Sequence, residues 1–85
     1  MFLSVFAVRD SAVGCFGRPF YLQSEGQAVR SFQDEVNRND KDNMMFLHPE
    51  DFELFYLGLF DDTSGSFDLL KNPKSLSTAK QLKLA

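Results

Sequence analysis

Two short acidic stretches hold the residues best suited to acid–base or metal chemistry, residues 48–51 (HPED) and residues 61–65 (DDTSG). A calcium loop of the helix-loop-helix type needs alternating oxygen ligands, a glycine at its sixth position and a glutamate at its twelfth. The second stretch does not supply them. His48 alone does not provide the three or four ligands of a zinc site. Acids in turns more often cap backbone N–H groups, so we predict no metal site and no cofactor.

Nucleophilic catalysis is not indicated either. Cys15 is the only cysteine and His48 the only histidine, far apart in the sequence. The glycine-rich phosphate-binding motifs and the G-x-S-x-G nucleophile motif do not occur. A single cysteine cannot form an intramolecular disulfide, which fits a reducing compartment. We therefore expect a protein without enzymatic activity.

Aromatic side chains are a stronger indication of function, since ten phenylalanines and two tyrosines occur in 85 residues. Phe20 and Tyr21 are adjacent, as are Phe55 and Tyr56. Neighbours on a strand point to opposite faces, so one ring of each pair should pack in the core and the other on the far face. Rings on an open sheet face beside a basic residue such as Arg18 can stack the bases of single-stranded nucleic acid. Alternatively, they close a homodimer interface.

Charge is divided unevenly along the chain, whose net charge is −3. Residues 1–70 carry −7, which should repel phosphate, whereas residues 71–85 carry +4 and no acid. A basic tail of this kind either contacts phosphate groups or serves as a solubilising terminus. The candidate nucleic-acid contacts are Arg18, Phe20, Tyr21, Tyr56, Lys71, Lys74, Lys80 and Lys83.

The elements that must position these residues form one predicted α+β domain over residues 1–70, in the order β-β-α-β-β. An apolar run over residues 2–8 predicts a central strand. A second strand should begin at Pro19 or lie at a sheet edge, because Pro19 cannot donate to a ladder. Ser24 and Gln27 match a capping box, and an apolar helical stripe follows them. Residues 52–60 predict a strand with a bulge or close approach at Gly58. We expect a four-stranded, mainly antiparallel sheet with one helix across one face.

The basic tail, residues 71–85, is expected to lie outside this domain, either docked or disordered. Pro73 is predicted to break the preceding strand, and Ser77 to cap a short helix that would need docking for stability. The first residues lack the basic region of a secretory signal. No stretch approaches the ~20 apolar residues that cross a bilayer, so we expect a soluble intracellular protein without a membrane partner.

Four short pieces carry a family resemblance by their order and spacing. They are residues 17–20 (GRPF), 28–37 (AVRSFQDEVN), 48–52 (HPEDF) and 58–62 (GLFDD), followed by Gly65. The set resembles the small nonstructural protein of microviruses, the tailless single-stranded-DNA phages, in their gokushovirus branch. The resemblance covers residues 2–70 and leaves the tail outside.

The resemblance implies a protein made in the cytoplasm of the infected bacterium and absent from the virion. Such proteins are described as DNA-binding, or as similar in role to the microvirus protein that switches replication toward single-stranded genomes for packaging. No catalytic residues carry over. We expect a non-enzymatic homodimer that contacts single-stranded DNA during genome synthesis or packaging. The alternative is a protein-interaction module that binds a viral replication or capsid protein, or a host protein, without touching DNA.

Overall fold

The backbone is organised around an antiparallel sheet of five strands, described for residues 1–84 in a computed structural model. The strands are β1 (Phe2–Asp10), β2 (Cys15–Phe16), β3 (Phe20–Leu22), β4 (Phe52–Asp61) and β5 (Ser66–Thr78). The helices are α1 (Glu25–Val36), α2 (Met44–Leu47) and α3 (Ala79–Leu82), with a 3₁₀ turn at Pro49–Asp51. The strand order is β2-β1-β4-β5, and β3 pairs with β1. The predicted α+β class is confirmed, and no helix within residues 1–84 is long and apolar enough to cross a membrane.

The predicted four-strand, one-helix layout is wrong in its details. The predicted second strand corresponds to β3, and an additional short strand, β2, precedes it; both pair with β1. The Gly17 N–H donates to the Val8 carbonyl at 2.7 Å, and Pro19 has no N–H to continue the ladder. Pairing with β1 is therefore interrupted between β2 and β3, where proline removes a donor.

The last strand also continues past the predicted boundary at Leu70. Pro73 was expected to end the strand, but β5 runs from Ser66 to Thr78. The register jumps there, because Gly58 opposes Leu69 whereas Tyr56 opposes Lys74. Since β5 is an edge strand and Pro73 lies within this irregularity, the missing proline N–H costs no regular ladder bond.

The C-terminal residues pack against α1. Thr78, rather than the predicted Ser77, caps α3, with the Gln81 N–H donating to Thr78 Oγ1 at 3.2 Å. Asn37 anchors the end of this segment: its Nδ2 donates to the Leu82 carbonyl at 3.0 Å, and its Oδ1 accepts from the Leu84 N–H at 2.7 Å. A helix of four residues is stable only with such docking.

The core lies between α1 and one face of the sheet. Ser24 Oγ accepts the Gln27 N–H at 3.2 Å, which confirms the predicted cap, although Gln27 Oε1 accepts from Gln23 rather than from Ser24. The predicted apolar stripe is buried against the sheet. Its buried members are Ala28, Phe32 and Val36, which pack in one cluster with Phe6 of β1 and Leu54 of β4.

Candidate functional site

The sheet face opposite α1 carries a group of aromatic side chains. Phe6 and Val8 of β1 point toward the helix side, so Val5, Ala7 and Arg9 alternate to the opposite side. The cross-strand register places five rings with them on this side. We call this group the aromatic face, and it consists of Phe16, Tyr21, Phe55, Phe60 and Phe67.

The five rings of the aromatic face form two clusters. The Phe16 and Phe55 centroids are 5.3 Å apart and meet edge to face. In the second cluster, the Phe60 centroid lies 5.7 Å from that of Tyr21 and 4.8 Å from that of Phe67. Three of these residues stay largely open to solvent, with 43% of Phe16, 42% of Tyr21 and 53% of Phe67 exposed. Exposed ring faces of this kind can stack on a planar ligand.

The two clusters follow each other directly along β1. Phe16 and Phe55 oppose Arg9 and Ala7, whereas Tyr21 and Phe60 oppose Val5 and Leu3. Val5 and Ala7 themselves are buried. The aromatic face is therefore a continuous row of two adjacent ring clusters.

A bulge in β4 places Phe60 on this face. Val5 opposes Gly58 while Phe6 opposes Tyr56, which leaves Leu57 as the extra residue. Before the bulge, the even-numbered Tyr56 faces the helix; after it, the even-numbered Phe60 faces away. The predicted bulge or close approach at Gly58 is thus confirmed, and it decides which side chains reach the aromatic face.

Positive charge near the aromatic face comes from separate elements. Arg9 lies on the same side of the sheet as the rings, and in the register it opposes Phe16 and Glu53. Glu53 accepts a short hydrogen bond from the Ser75 hydroxyl. Arg18 is exposed in the connection between β2 and β3, and Lys71 is exposed in β5. The site is therefore only sparsely basic.

Five of the twelve acidic side chains lie on the helix side of the sheet. Acidic side chains on α1 and the loop after it are Glu25, Asp34, Glu35, Asp40 and Asp42. α1 covers the face opposite the aromatic one, so these carboxylates are separated from the rings by the sheet. The other seven carboxylates lie outside this segment, and Glu53, which opposes Arg9, is on the side of the rings, so the predicted repulsion of phosphate still applies to the aromatic face.

The predicted contact residues do not all converge on this face. Tyr21 lies there, whereas Phe20 and Tyr56 pack on Phe6 beneath α1, with ring centroids 5.8 and 5.7 Å from it. Lys74 Nζ is 3.2 Å from a Glu25 carboxylate oxygen and 6.0 Å from the centroid of the Tyr56 ring, which places Lys74 on the helix side.

The remaining tail lysines also lie apart from the rings. Lys83 Nζ is 4.2 Å from the centre of the Phe46 ring on α2. Lys80 is exposed on α3, which packs on α1. The structure therefore does not gather the four tail lysines into one basic strip beside the aromatic face.

Four rings of the aromatic face were missing from the predicted contacts. Phe55 was identifiable as the outward partner of Tyr56, once the buried Leu54 fixes the alternation. Phe16 and Phe67 carried no signal beyond their presence in extended runs. The orientation of Phe60 could not be predicted, because the bulge between Tyr56 and Gly58 reverses the alternation of side chains before Phe60 is reached.

The acidic stretches behave as turns. Asp61 accepts from the Thr63 N–H at 3.0 Å and from the Ser64 hydroxyl at 3.1 Å, which lowers the pKa of Asp61. This is the predicted capping role. In the 3₁₀ turn, ligand atoms of His48, Glu50 and Asp51 lie within 4.8 Å of one another at the surface. Exposed groups of this kind are common without an ion.

A known protein family matches most of the chain. The family described as Phage ORF5 protein matches residues 3–82. Protein ORF5 of Chlamydia phage 1 is 42% identical over 40 residues, which are 47% of this chain and 42% of that relative. The match thus spans less than half of the relative's own length. No solved structure matches. The chain belongs to the Phage ORF5 protein family, and it is a small phage protein of the microvirus type.

Proposed function

We propose that this protein is a non-enzymatic phage accessory protein that binds single-stranded DNA on its aromatic face during viral genome synthesis or packaging. One observation carries the proposal: Phe16, Tyr21 and Phe67 are exposed on a sheet face that no described helix covers. A base stacked on an aromatic side chain contributes about 1–3 kcal/mol without regard to sequence. The proposal includes action in the cytoplasm of the infected bacterium and absence from the virion.

Phosphate contacts should be few. Arg18 and Lys71 are exposed cations of the sheet and its connections that form no salt bridge within residues 1–84, and Arg9 shares the side of the rings. Two or three phosphate contacts on a single strand correspond to a slope of about −1.4 to −2 in a plot of log K against log salt. Stacking, which is less sensitive to salt, would therefore supply most of the binding free energy.

The test is fluorescence anisotropy of a labelled oligothymidylate of ~30 nucleotides, long enough for more than one site of this size. We expect Tyr21→Ala and Phe67→Ala each to weaken binding about tenfold, because each removes a stacking platform. Tyr21→Phe is the matched control, since it keeps the ring and removes only the hydroxyl. Unchanged affinity in the double alanine variant, with circular dichroism showing a folded protein, would refute stacking on this face.

A second candidate function is a protein-interaction module that uses the same surface. Leu69 opposes Gly58 on the aromatic side of β5 and is 56% exposed, which extends the rings with an aliphatic patch. Aliphatic and aromatic residues together are typical of protein interfaces. The partner would be a second copy in a homodimer, a viral replication or capsid protein, or a host protein.

Sedimentation velocity distinguishes the homodimer from the DNA-binding proposal. A dimer would be expected to dissociate on dilution and to be lost in Leu69→Ser, while a monomer at every concentration would exclude it. Leu69→Ser should leave DNA binding within about twofold if the rings alone carry the stacking.

A further inference from the structure

A cleft on the opposite side of the molecule is unused by the proposed DNA interaction. It has a volume of about 590 Å³ and lies where α1, α2, β1 and β3 meet. Its apolar lining consists of Val8, Phe20, Phe32 and Met45. The volume falls within the range of about 300–1,000 Å³ that is usual for ligand sites. A large apolar side chain, with part of its neighbour, could enter it.

The rim of this cleft is polar and carries more acid than base. It is formed by Ser31, Asp34, Glu35 and Arg38. The adjoining segment, residues 34–42, has four carboxylates and two cations. The cleft therefore combines an apolar floor with a negatively charged edge.

The single arginine at the rim is already paired. Arg38 Nη2 lies 2.7 Å from Glu35 Oε1, and Arg38 Nη1 lies 3.1 Å from Asp40 Oδ2. Asp34 is exposed and forms no salt bridge within residues 1–84. An anionic ligand would thus meet an unpaired carboxylate, whereas a cationic one would find a partner in Asp34.

We propose that this acidic cleft binds a basic peptide segment of a partner protein, with one large apolar side chain inserted in the cleft and flanking lysines or arginines at the rim. Charge complementarity argues for this occupant, because like charges across an interface are strongly disfavoured and opposite charges steer association. In many protein interfaces, a large side chain inserted in a pocket and surrounded by polar contacts supplies much of the binding free energy. DNA would not compete here, since phosphates would face Asp34.

The acidic cleft and the aromatic face lie on opposite sides of the sheet, so both could be occupied at once. The protein would then connect single-stranded DNA to a basic protein segment. The peptide proposal does not depend on DNA binding, and each proposal can fail alone.

The test uses a capped hexapeptide, Lys-Lys-Leu-Phe-Lys-Lys, titrated into the ¹⁵N-labelled full chain and followed by NMR. Amide shifts are expected at Val8, Ser31 and Asp34. The matched peptide Glu-Glu-Leu-Phe-Glu-Glu should cause none. Asp34→Asn should weaken binding of the basic peptide about threefold, as for one exposed charge contact.

Ser31→Phe tests the cleft itself, since it places a ring at the rim and should weaken peptide binding at least about tenfold. Ser31→Ala is its control and should not. Both variants should bind oligothymidylate like the unmodified protein. Equal binding of the acidic peptide, no shifts with the basic one, or shifts confined to Tyr21 and Phe67 would each overturn the proposal.

Discussion

Gly58 in β4 and Leu69 in β5 approach so closely that a Cβ on Gly58 would lie 2.7 Å from the Leu69 Cα. Gly58 has φ +145°, a backbone conformation that residues with side chains rarely adopt. The bulge beside it turns Phe60 toward the aromatic face. One glycine therefore links the pairing of the two longest strands to the make-up of the candidate site.

Replacing Gly58 with alanine should lower the free energy of unfolding by about 2–4 kcal/mol, because the methyl group collides with backbone and the φ angle is strained. Urea unfolding followed by circular dichroism measures this. Gly26→Ala is the control: its nearest contact would be Ser24 Oγ at 3.9 Å, so alanine in this first helical turn should not destabilise the fold. A loss below about 0.5 kcal/mol at Gly58 would contradict the close approach.

Asn43 joins the end of α1 to the start of α2 and is buried, with 5% of its surface exposed. Its Nδ2 donates to the Glu35 and Arg38 carbonyls at 2.7 and 2.9 Å, and its Oδ1 accepts from the Met45 N–H at 3.2 Å.

Asn43→Ala should therefore destabilise the fold by about 2–3 kcal/mol, since buried backbone groups lose their partners. Asn39→Ala, at an exposed position in the same loop, should change stability by less than about 0.5 kcal/mol in the same urea titration. Equal effects of the two substitutions would show that Asn43 does not hold the helices together.

Glu35 gives a pH dependence of defined sign. Hydrogen bonding to Arg38 lowers the pKa of Glu35 below its ordinary value of 4.5. A carboxyl whose pKa is lower in the folded state stabilises the fold above its unfolded pKa, and this stabilisation is lost as pH falls through the folded pKa. The contribution is small, because both side chains are about half exposed.

NMR titration of the Glu35 side-chain carboxyl should give a pKa below that of the Arg38→Gln variant. The unmodified protein should also lose stability more steeply than Glu35→Gln as pH falls from about 5 to about 3. Identical pKa values with and without Arg38 would contradict the ion pair.

The positions of the cations predict which ones affect DNA binding. Arg18→Gln should weaken oligothymidylate binding a fewfold at low salt and reduce the salt slope by about 0.7, as expected for one phosphate contact on a single strand. Lys80→Gln removes the same charge from α3 and should leave both quantities unchanged. A larger effect of Lys80→Gln would move the DNA contact to the helix side.

Local signals predicted much of the fold. Three features were predicted from residues within a single element: the cap at Ser24, the apolar stripe that contains Phe32, and the irregularity at Gly58. In each, the type of side chain matches the local backbone conformation. Pro73 was misjudged because the cost of a proline depends on whether its strand lies at an edge, and strand order is not a local property. Thr78 displaced Ser77 as a cap for a similar reason: both residues can cap, and the choice depends on where β5 ends, since Ser77 and Thr78 are still paired with Leu54 and Glu53 of β4.

The candidate site was less predictable than the fold. Alternation required that one ring of each aromatic pair lie outward, but the choice between Phe20 and Tyr21 depends on the register with β1. The bulge then reversed the alternation before Phe60. The number of lysines in the tail was known from the sequence. Their positions were not, because they depend on how β5 and α3 pack beside α1, and composition does not determine that packing.

The measurement closest to the central claim is the chemical-shift map of the ¹³C- and ¹⁵N-labelled protein during titration with oligothymidylate. Stacking on the aromatic face predicts that the ring signals of Phe16, Tyr21 and Phe67 shift upfield and broaden, while amides of α1 and α3 stay unchanged. Shifts that concentrate on Lys80 and Lys83, or that appear nowhere at low salt, would contradict DNA binding by the aromatic face.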